Sequence, residues 1–206
     1  MQRDLYYLVC YTKSMKTVLF IPGMGEGIND RDYASVIKTI ESKGYKVTFL
    51  PIQWRRTTIT DWTNELNSIY TQYDPKQTIL AGFSCGAMAA LAVAAQSNPA
   101  ELWLFSLSPY FAEDIKSKLM NPAWIKAIGK RRTAAFAKLG FRDLASKVFC
   151  KTLVLAGEQE LSKWPIMKRR LQNAIKTFPD SKLTIVPKSE HDVANENYIQ
   201  VIKNSI

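Results

Sequence analysis

Gly82-Phe83-Ser84-Cys85-Gly86 is the stretch from which the fold can be read. It follows the apolar run at residues 78–81 and precedes the alanine-rich run at 87–95, so the implied order is strand, sharp turn, helix. Glycines on both sides of a central serine let a strained turn pass close to its neighbours. They lift the hydroxyl clear of a sheet at the N-terminus of a helix. Five common residues match such a pattern often by chance, so the weight falls on what the rest of the chain places around them.

Upstream, residues 16–22 read as a buried strand ending in Pro22-Gly23-Met24-Gly25-Glu26-Gly27, a turn whose glycines permit close backbone approach to a bound group. Asn29 or Asp30 is expected to cap a helix running to Ser42, with Tyr33, Val36, Ile37 and Ile40 on one face and Gly44 as its stop. A strand at 46–50, a loop at 54–60 and a helix from Thr60 or Asp61 to Tyr70 follow. Downstream, Asn98-Pro99 ends the helix after the turn. Strands are expected at 101–107, 151–156 and 182–186, and helices at 164–178 and 195–202. Strands that are apolar throughout and alternate with helices predict a mostly parallel sheet covered on both faces, in one domain spanning 1–206. Residues 1–14 form an N-terminal extension or an extra strand, with Leu5 to Tyr11 as its apolar run. Residues 108–150 break the alternation. An insertion at the C-terminal edge of such a sheet is expected to fold as a small helical cap over the ligand crevice.

The composition is that of a globular chain, with 47% apolar and 22% charged residues, which excludes a disordered or fibrous class. Cys10, Cys85 and Cys150 are odd in number and widely spaced, which fits reduced thiols and a cytoplasmic setting better than disulfides or a metal site. The run at 5–11 is too short for a membrane span or for the apolar core of a secretory signal. A formal net charge of +10 favours anionic partners: phosphorylated or carboxylated substrates, acidic proteins or a membrane surface. The simpler reading is a solvated basic surface. No nucleic-acid module, nucleotide-binding glycine loop or Cys/His metal spacing accompanies that charge, so no nucleic acid, metal or organic cofactor is expected.

A serine hydroxyl becomes nucleophilic when a base takes its proton, and the chain holds one imidazole, His191, in the loop after the last strand. A carboxylate to orient that base is available in Gly157-Glu158-Gln159-Glu160, just past the strand at 151–156, where Glu158 or Glu160 can serve. Developing negative charge needs preorganised backbone N–H donors. The amide of Cys85, next after Ser84 at the helix N-terminus, is one of them. The thiol of Cys85 is itself a conceivable nucleophile, but the turn aims its central residue outward and the next one inward, so Cys85 reads as a small buried filler.

From Lys16 onward, the turn at 21–25, the elbow at 82–86, the acid loop and the histidine loop resemble the α/β-hydrolase family, with its order serine, acid, histidine. The resemblance implies an α/β-hydrolase fold and selects Glu160 as the acid, although an aspartate is commoner there. It also implies the Met24 amide as the second oxyanion donor. The activity it implies is that of a serine hydrolase acting on a small carboxylic ester or thioester, with Ser84, His191 and Glu160 as catalytic residues. An acyltransferase or lyase is a related alternative on the same fold, and a binding module that uses the basic cap is a non-catalytic one. Within residues 108–150, nine lysines and arginines stand against three acidic residues, interleaved with apolar positions at helical spacing. Most of these apolar residues are expected to pack. Trp124 and Phe136 are candidates for walls of an acyl pocket, and the basic faces for attracting an anionic substrate or a membrane surface.

Overall fold

The computed structural model of the protein describes residues 15–206, and the extension or strand read at 1–14 lies outside the described residues. Six strands, β1 (Thr17–Ile21), β2 (Lys46–Phe49), β3 (Thr78–Phe83), β4 (Glu101–Phe105), β5 (Lys151–Gly157) and β6 (Ser181–Val186), form a sheet in the order β2-β1-β3-β4-β5-β6. All five of these pairings are parallel. Around them lie α1 (Tyr33–Glu41), α2 (Ile59–Tyr70), α3 (Cys85–Ser97), α4 (Ala112–Ile115), α5 (Pro122–Ile128), α6 (Lys130–Phe136), α7 (Phe141–Ala145), α8 (Glu158–Lys163), α9 (Pro165–Thr177) and α10 (Glu196–Ser205).

Strand side chains alternate between the two faces, and here both faces are buried. Leu19, Ile21, Leu80, Leu104 and Val154 join a core shared with α2, α3 and α9. Val18, Phe20, Ile79, Phe105 and Leu155 join the opposite one, closed by Tyr33 and Val36 of α1 and Tyr198 and Ile202 of α10. Burial on both sides is why the strands read as unbroken apolar runs. Helix α3 is buried from Cys85 to Ala95. A helix apolar all round belongs in such a central position, and its alanines let it lie close to the sheet.

Several boundaries differ from the sequence reading, each for a local reason. Helix α1 starts at Tyr33 because Asp32 accepts the Ser35 N–H at 3.1 Å, whereas Asp30 is taken by the Gly27 N–H and closes the preceding turn. Strand β4 stops at Phe105 because Ser106, at φ 48°, turns the chain. The segment after β5, read as a loop, is the helix α8. Neither of its glutamates caps α9, since Trp164 stands at that position and Glu158 instead accepts the Lys188 N–H at 3.0 Å. Among the described residues no helix is long and apolar enough to cross a membrane.

The strand order reverses between β1 and β3, and in such sheets the crevice opens at the C-terminal ends of the strands flanking the reversal. The helices of residues 108–150 are tied to the body on two sides of that crevice. On one side Asp114, fully buried, accepts a 2.7 Å hydrogen bond from Nε of the equally buried Arg170 of α9. The Arg170 guanidinium also lies over the rings of Phe111 and Phe141, at 4.9 and 4.2 Å. On the other side Arg132 of α6 donates to the carbonyls of Trp54 and Thr57, and Arg131 to that of Arg56.

The Asp114–Arg170 pair yields a stability prediction. Asp114→Ala leaves a buried guanidinium without its carboxylate and should lower the unfolding free energy by about 3–5 kcal/mol. Urea denaturation followed by far-UV circular dichroism measures this, and a loss below about 1 kcal/mol would show that the pair does not hold the segment in place.

Candidate functional site

Strand β3 runs directly into the turn that presents Ser84, whose backbone sits at φ 57°, ψ −120°. A residue with a Cβ enters that region only when its surroundings over-determine it. Here the Ser84 N–H donates to the Phe105 carbonyl at 2.9 Å, and the two glycines allow contacts that no other residue would permit. A Cβ on Gly82 would stand 2.5 Å from the Gly86 carbonyl carbon, and one on Gly86 would stand 2.3 Å from the Pro22 oxygen at the end of β1.

The structure brings Ser84, His191 and Glu160 into one hydrogen-bonded chain. His191 Nε2 lies 3.0 Å from Ser84 Oγ, and Nδ1 lies 2.8 Å from Glu160 Oε2. A carboxylate can only accept, so Nδ1 carries the proton and Nε2 presents its lone pair to the serine hydroxyl. Glu160 is fully buried, and its Oε1 has no partner among the described residues, so its hydrogen bonding is directed at the imidazole alone. The histidine loop reaches α8 because Gly157 carries no side chain: a Cβ there would stand 2.4 Å from the Ser189 oxygen. Of the two glutamates, Glu160 meets the ring, and Glu158 is turned to the Lys188 amide. The imidazole is further wedged between Phe83 and Trp164, with ring centroids 4.8 and 6.1 Å away.

The loop after β1 is held by a polar cluster. Tyr33 donates its hydroxyl proton to Glu26 while its oxygen accepts the Gly23 N–H at 3.2 Å, and burial beside Glu26 raises its pKa. Arg31 bridges Glu26 at 2.8 Å and Asp192 at 3.0 Å, and lies over Phe83, linking this loop to the one carrying His191. The backbone N–H groups of Met24 and Cys85 donate to no group among the described residues. Burial pushes the Cys85 thiol up to about 11, against weaker lowering by the Ser108 hydrogen bond and the charge of Arg132.

A cavity of about 270 Å³ opens over Ser84, walled by Met24, Tyr110, Trp124, Trp164 and Met167. Trp124 thus faces it, whereas Phe136 does not. Phe136 is fully buried behind the wall, stacked on Tyr110 with centroids 5.5 Å apart and packed on Trp62. Ser108 belongs to no motif in the sequence. Its hydroxyl lies 3.0 Å from Ser84 Oγ. Its one signal there was position, a small polar residue just past the strand that neighbours the elbow strand.

No protein-family model matches the sequence, and no curated protein matches it. Solved structures do match in fold. Est1E from Butyrivibrio proteoclasticus superposes with a TM-score of 0.74 at 15% identity, covering 93% of this chain and 85% of its own. The alpha/beta hydrolase domain-containing protein 10 from mouse gives 0.72 at 15% identity over 92% and 87%. The esterase domain of a Rhodothermus marinus protein gives 0.68 at 15% identity over 93% and 85%. The fold is therefore that of the α/β-hydrolases.

The raised thiol pKa predicts inertness. At pH 8, with the pKa near 11, only about one Cys85 side chain in a thousand is thiolate. Iodoacetamide should leave Cys85 unmodified in the folded protein and alkylate it in urea, as read by peptide mass spectrometry. Rapid modification of the folded chain would mean that the thiol is exposed and activated.

Proposed function

We propose that the protein is a serine hydrolase that cleaves a carboxylic ester or thioester through a covalent acyl-enzyme. The observation that carries this reading is the chain from Ser84 Oγ through His191 to the buried Glu160, with Ser84 in a strained backbone conformation beside an apolar cavity. The esterases among the structures of like fold agree with it.

In the reaction, the Ser84 oxygen attacks the ester carbonyl as its proton passes to His191 Nε2. The resulting imidazolium is stabilised by Glu160, and the negative charge on the carbonyl oxygen is received by the free N–H groups of Cys85 and Met24. The same proton then passes to the departing alcohol or thiol as the acyl–oxygen or acyl–sulfur bond breaks. Water, activated by His191, hydrolyses the acyl-serine and restores the free hydroxyl. Ser108, within hydrogen-bond distance of Ser84 Oγ, holds that oxygen in place before attack.

Ser84→Ala and His191→Ala should each lower kcat for short-chain p-nitrophenyl esters by about 10⁴-fold or more with the circular dichroism spectrum unchanged. A fluorophosphonate probe should label the wild-type protein on Ser84. Wild-type rates in either variant, or a folded protein that resists the probe, would overturn the reading.

The two glutamates separate cleanly. Glu160→Gln replaces an acceptor that fixes the tautomer with a group able to donate, so kcat should fall by about 10³-fold or more. Glu158→Gln changes only the contact with the Lys188 amide and should stay within about threefold of wild type. The opposite ranking would assign the acid to Glu158.

A further inference from the structure

A second cavity, of about 370 Å³, lies on the other side of Met24 from the one over Ser84. Ile52 and Trp54, both buried, and Met24 give it apolar walls, and Arg55 and Arg132 are its charged lining. No acidic residue lines it. The contrast with the first cavity is in charge balance. There the arginine, Arg31, is paired with Glu26 and Asp192, whereas Arg55 and Arg132 form no ion pair among the described residues. The carboxylates nearest to Arg55 in sequence are already engaged, Asp61 by Thr58 and Glu65 by the Gln53 N–H. Arg132 is also preorganised: two backbone carbonyls hold its guanidinium, and it lies over the ring of Trp62, 5.8 Å from the centroid. Its charge is felt at Cys85, next to Ser84.

From this juxtaposition we propose that the cavity lined by Arg55 and Arg132 is an anion subsite of the same active site. Its ligand is an ester whose carbonyl rests at Ser84 and whose far end, reached past Met24, carries a carboxylate or phosphate. The inference rests on the hydrolase reading for the bond that is cleaved, and adds the class of substrate. Guanidinium groups without carboxylate partners favour an anionic group, and the apolar walls take the methylene chain leading to it. Part of the strong positive charge of the chain thereby acquires a place and a use. It is not spread evenly over the surface: Arg131 of the helical segment and Arg170 of α9 serve instead as ties between that segment and the body.

The test must distinguish a site from the long-range field of a +10 protein. Monomethyl esters of dicarboxylic acids of increasing chain length are compared with methyl esters of monocarboxylic acids of equal length, and the ratio of the two kcat/KM values is read. A subsite gives a ratio that peaks at one length, at about tenfold or more, and that falls at least fivefold in Arg55→Glu. Lys176→Glu makes the same change in net charge on α9, in the turn leading to the start of β6, at the opposite edge of the sheet. It should change the ratio by less than about twofold. A ratio that is flat with length and falls equally in both variants would overturn the subsite. Binding is measured independently of turnover by calorimetric titration of the same ester pairs into Ser84→Ala, alone and combined with Arg55→Glu. If wild type turns over neither ester but Ser84→Ala binds the charged one about tenfold tighter in an Arg55-dependent way, the hydrolase reading fails and the subsite stands. Equal binding of charged and neutral esters would overturn the subsite whatever the turnover.

Discussion

The site depends on close contact between backbone segments that only glycine allows. Gly86 meets the carbonyls of Ile21 and Pro22, Gly82 meets Gly86 and Ala87, and Gly157 meets Ser189 and Glu190. These contacts join the ends of β1, β3, β5 and β6, which are the ends that carry Met24, Ser84, Glu160 and His191. A contact between main chains has no rotamers to relax into. It therefore fixes the relative positions of the segments more tightly than side-chain packing would, and a few tenths of an ångström decide whether a hydrogen bond of 3.0 Å forms. The positive φ of Ser84 follows from the same constraint. The turn is strained because β3 on one side and α3 on the other are each held by extensive burial, and the strain points the hydroxyl at the crevice.

Side chains then complete what the backbone begins. A fully buried glutamate is costly unless its environment rewards the charge, and the reward here is one hydrogen bond to His191. The other carboxylate oxygen, Oε1, has no partner among the described residues, and Glu160 borders a pocket of about 10 Å³ with Leu107, Ala156, Met167 and Leu171. Burial and direction act together: a carboxylate exposed to water would orient the imidazole less firmly, because solvent would compete for it. Arg31 joins the loop of Glu26 to Asp192 and covers Phe83, on which the imidazole leans.

Much of this was legible in the chain, and what was not has a physical cause. The strands were readable because burial on both faces makes them uniformly apolar, and the elbow because its glycines and serine are fixed by geometry. Helix α8 was not, since Glu158-Gln159-Glu160 has no apolar stripe and its one buried charge is held by a partner 31 residues away in sequence. Phe136 looked like a pocket wall because helical spacing reports that a residue is buried and not what it is buried against. It lies one layer too deep, behind Tyr110. The arginines misled in a similar way. Net charge is most simply read as a solvated basic surface, whereas Arg132 is bound by carbonyls and Arg170 by Asp114 and two phenylalanine rings. The cluster of Glu26, Arg31, Tyr33 and Asp192 joins residues 161 apart and left no local signal.

Identity near 15% with structures that superpose over most of the chain follows from how few positions the fold constrains. The sheet needs apolar residues of suitable size on both faces, which many combinations satisfy. The crossings need glycine at 82, 86 and 157, and the candidate site draws three side chains from the ends of the strands. Residues 108–150 are attached through the Asp114–Arg170 pair, the carbonyl ties of Arg131 and Arg132 and the burial of Phe111, Phe136, Phe141 and Val148 in the core, and not through strand pairing. Yet that segment supplies Ser108, Tyr110 and Trp124 to one cavity and Arg132 to the other. The cavity walls thus come in part from a segment outside the sheet, while Ser84, Glu160 and His191 stand on segments held by backbone contact. Different physical constraints therefore hold the cavity walls and the hydrogen-bonded chain of Ser84, His191 and Glu160.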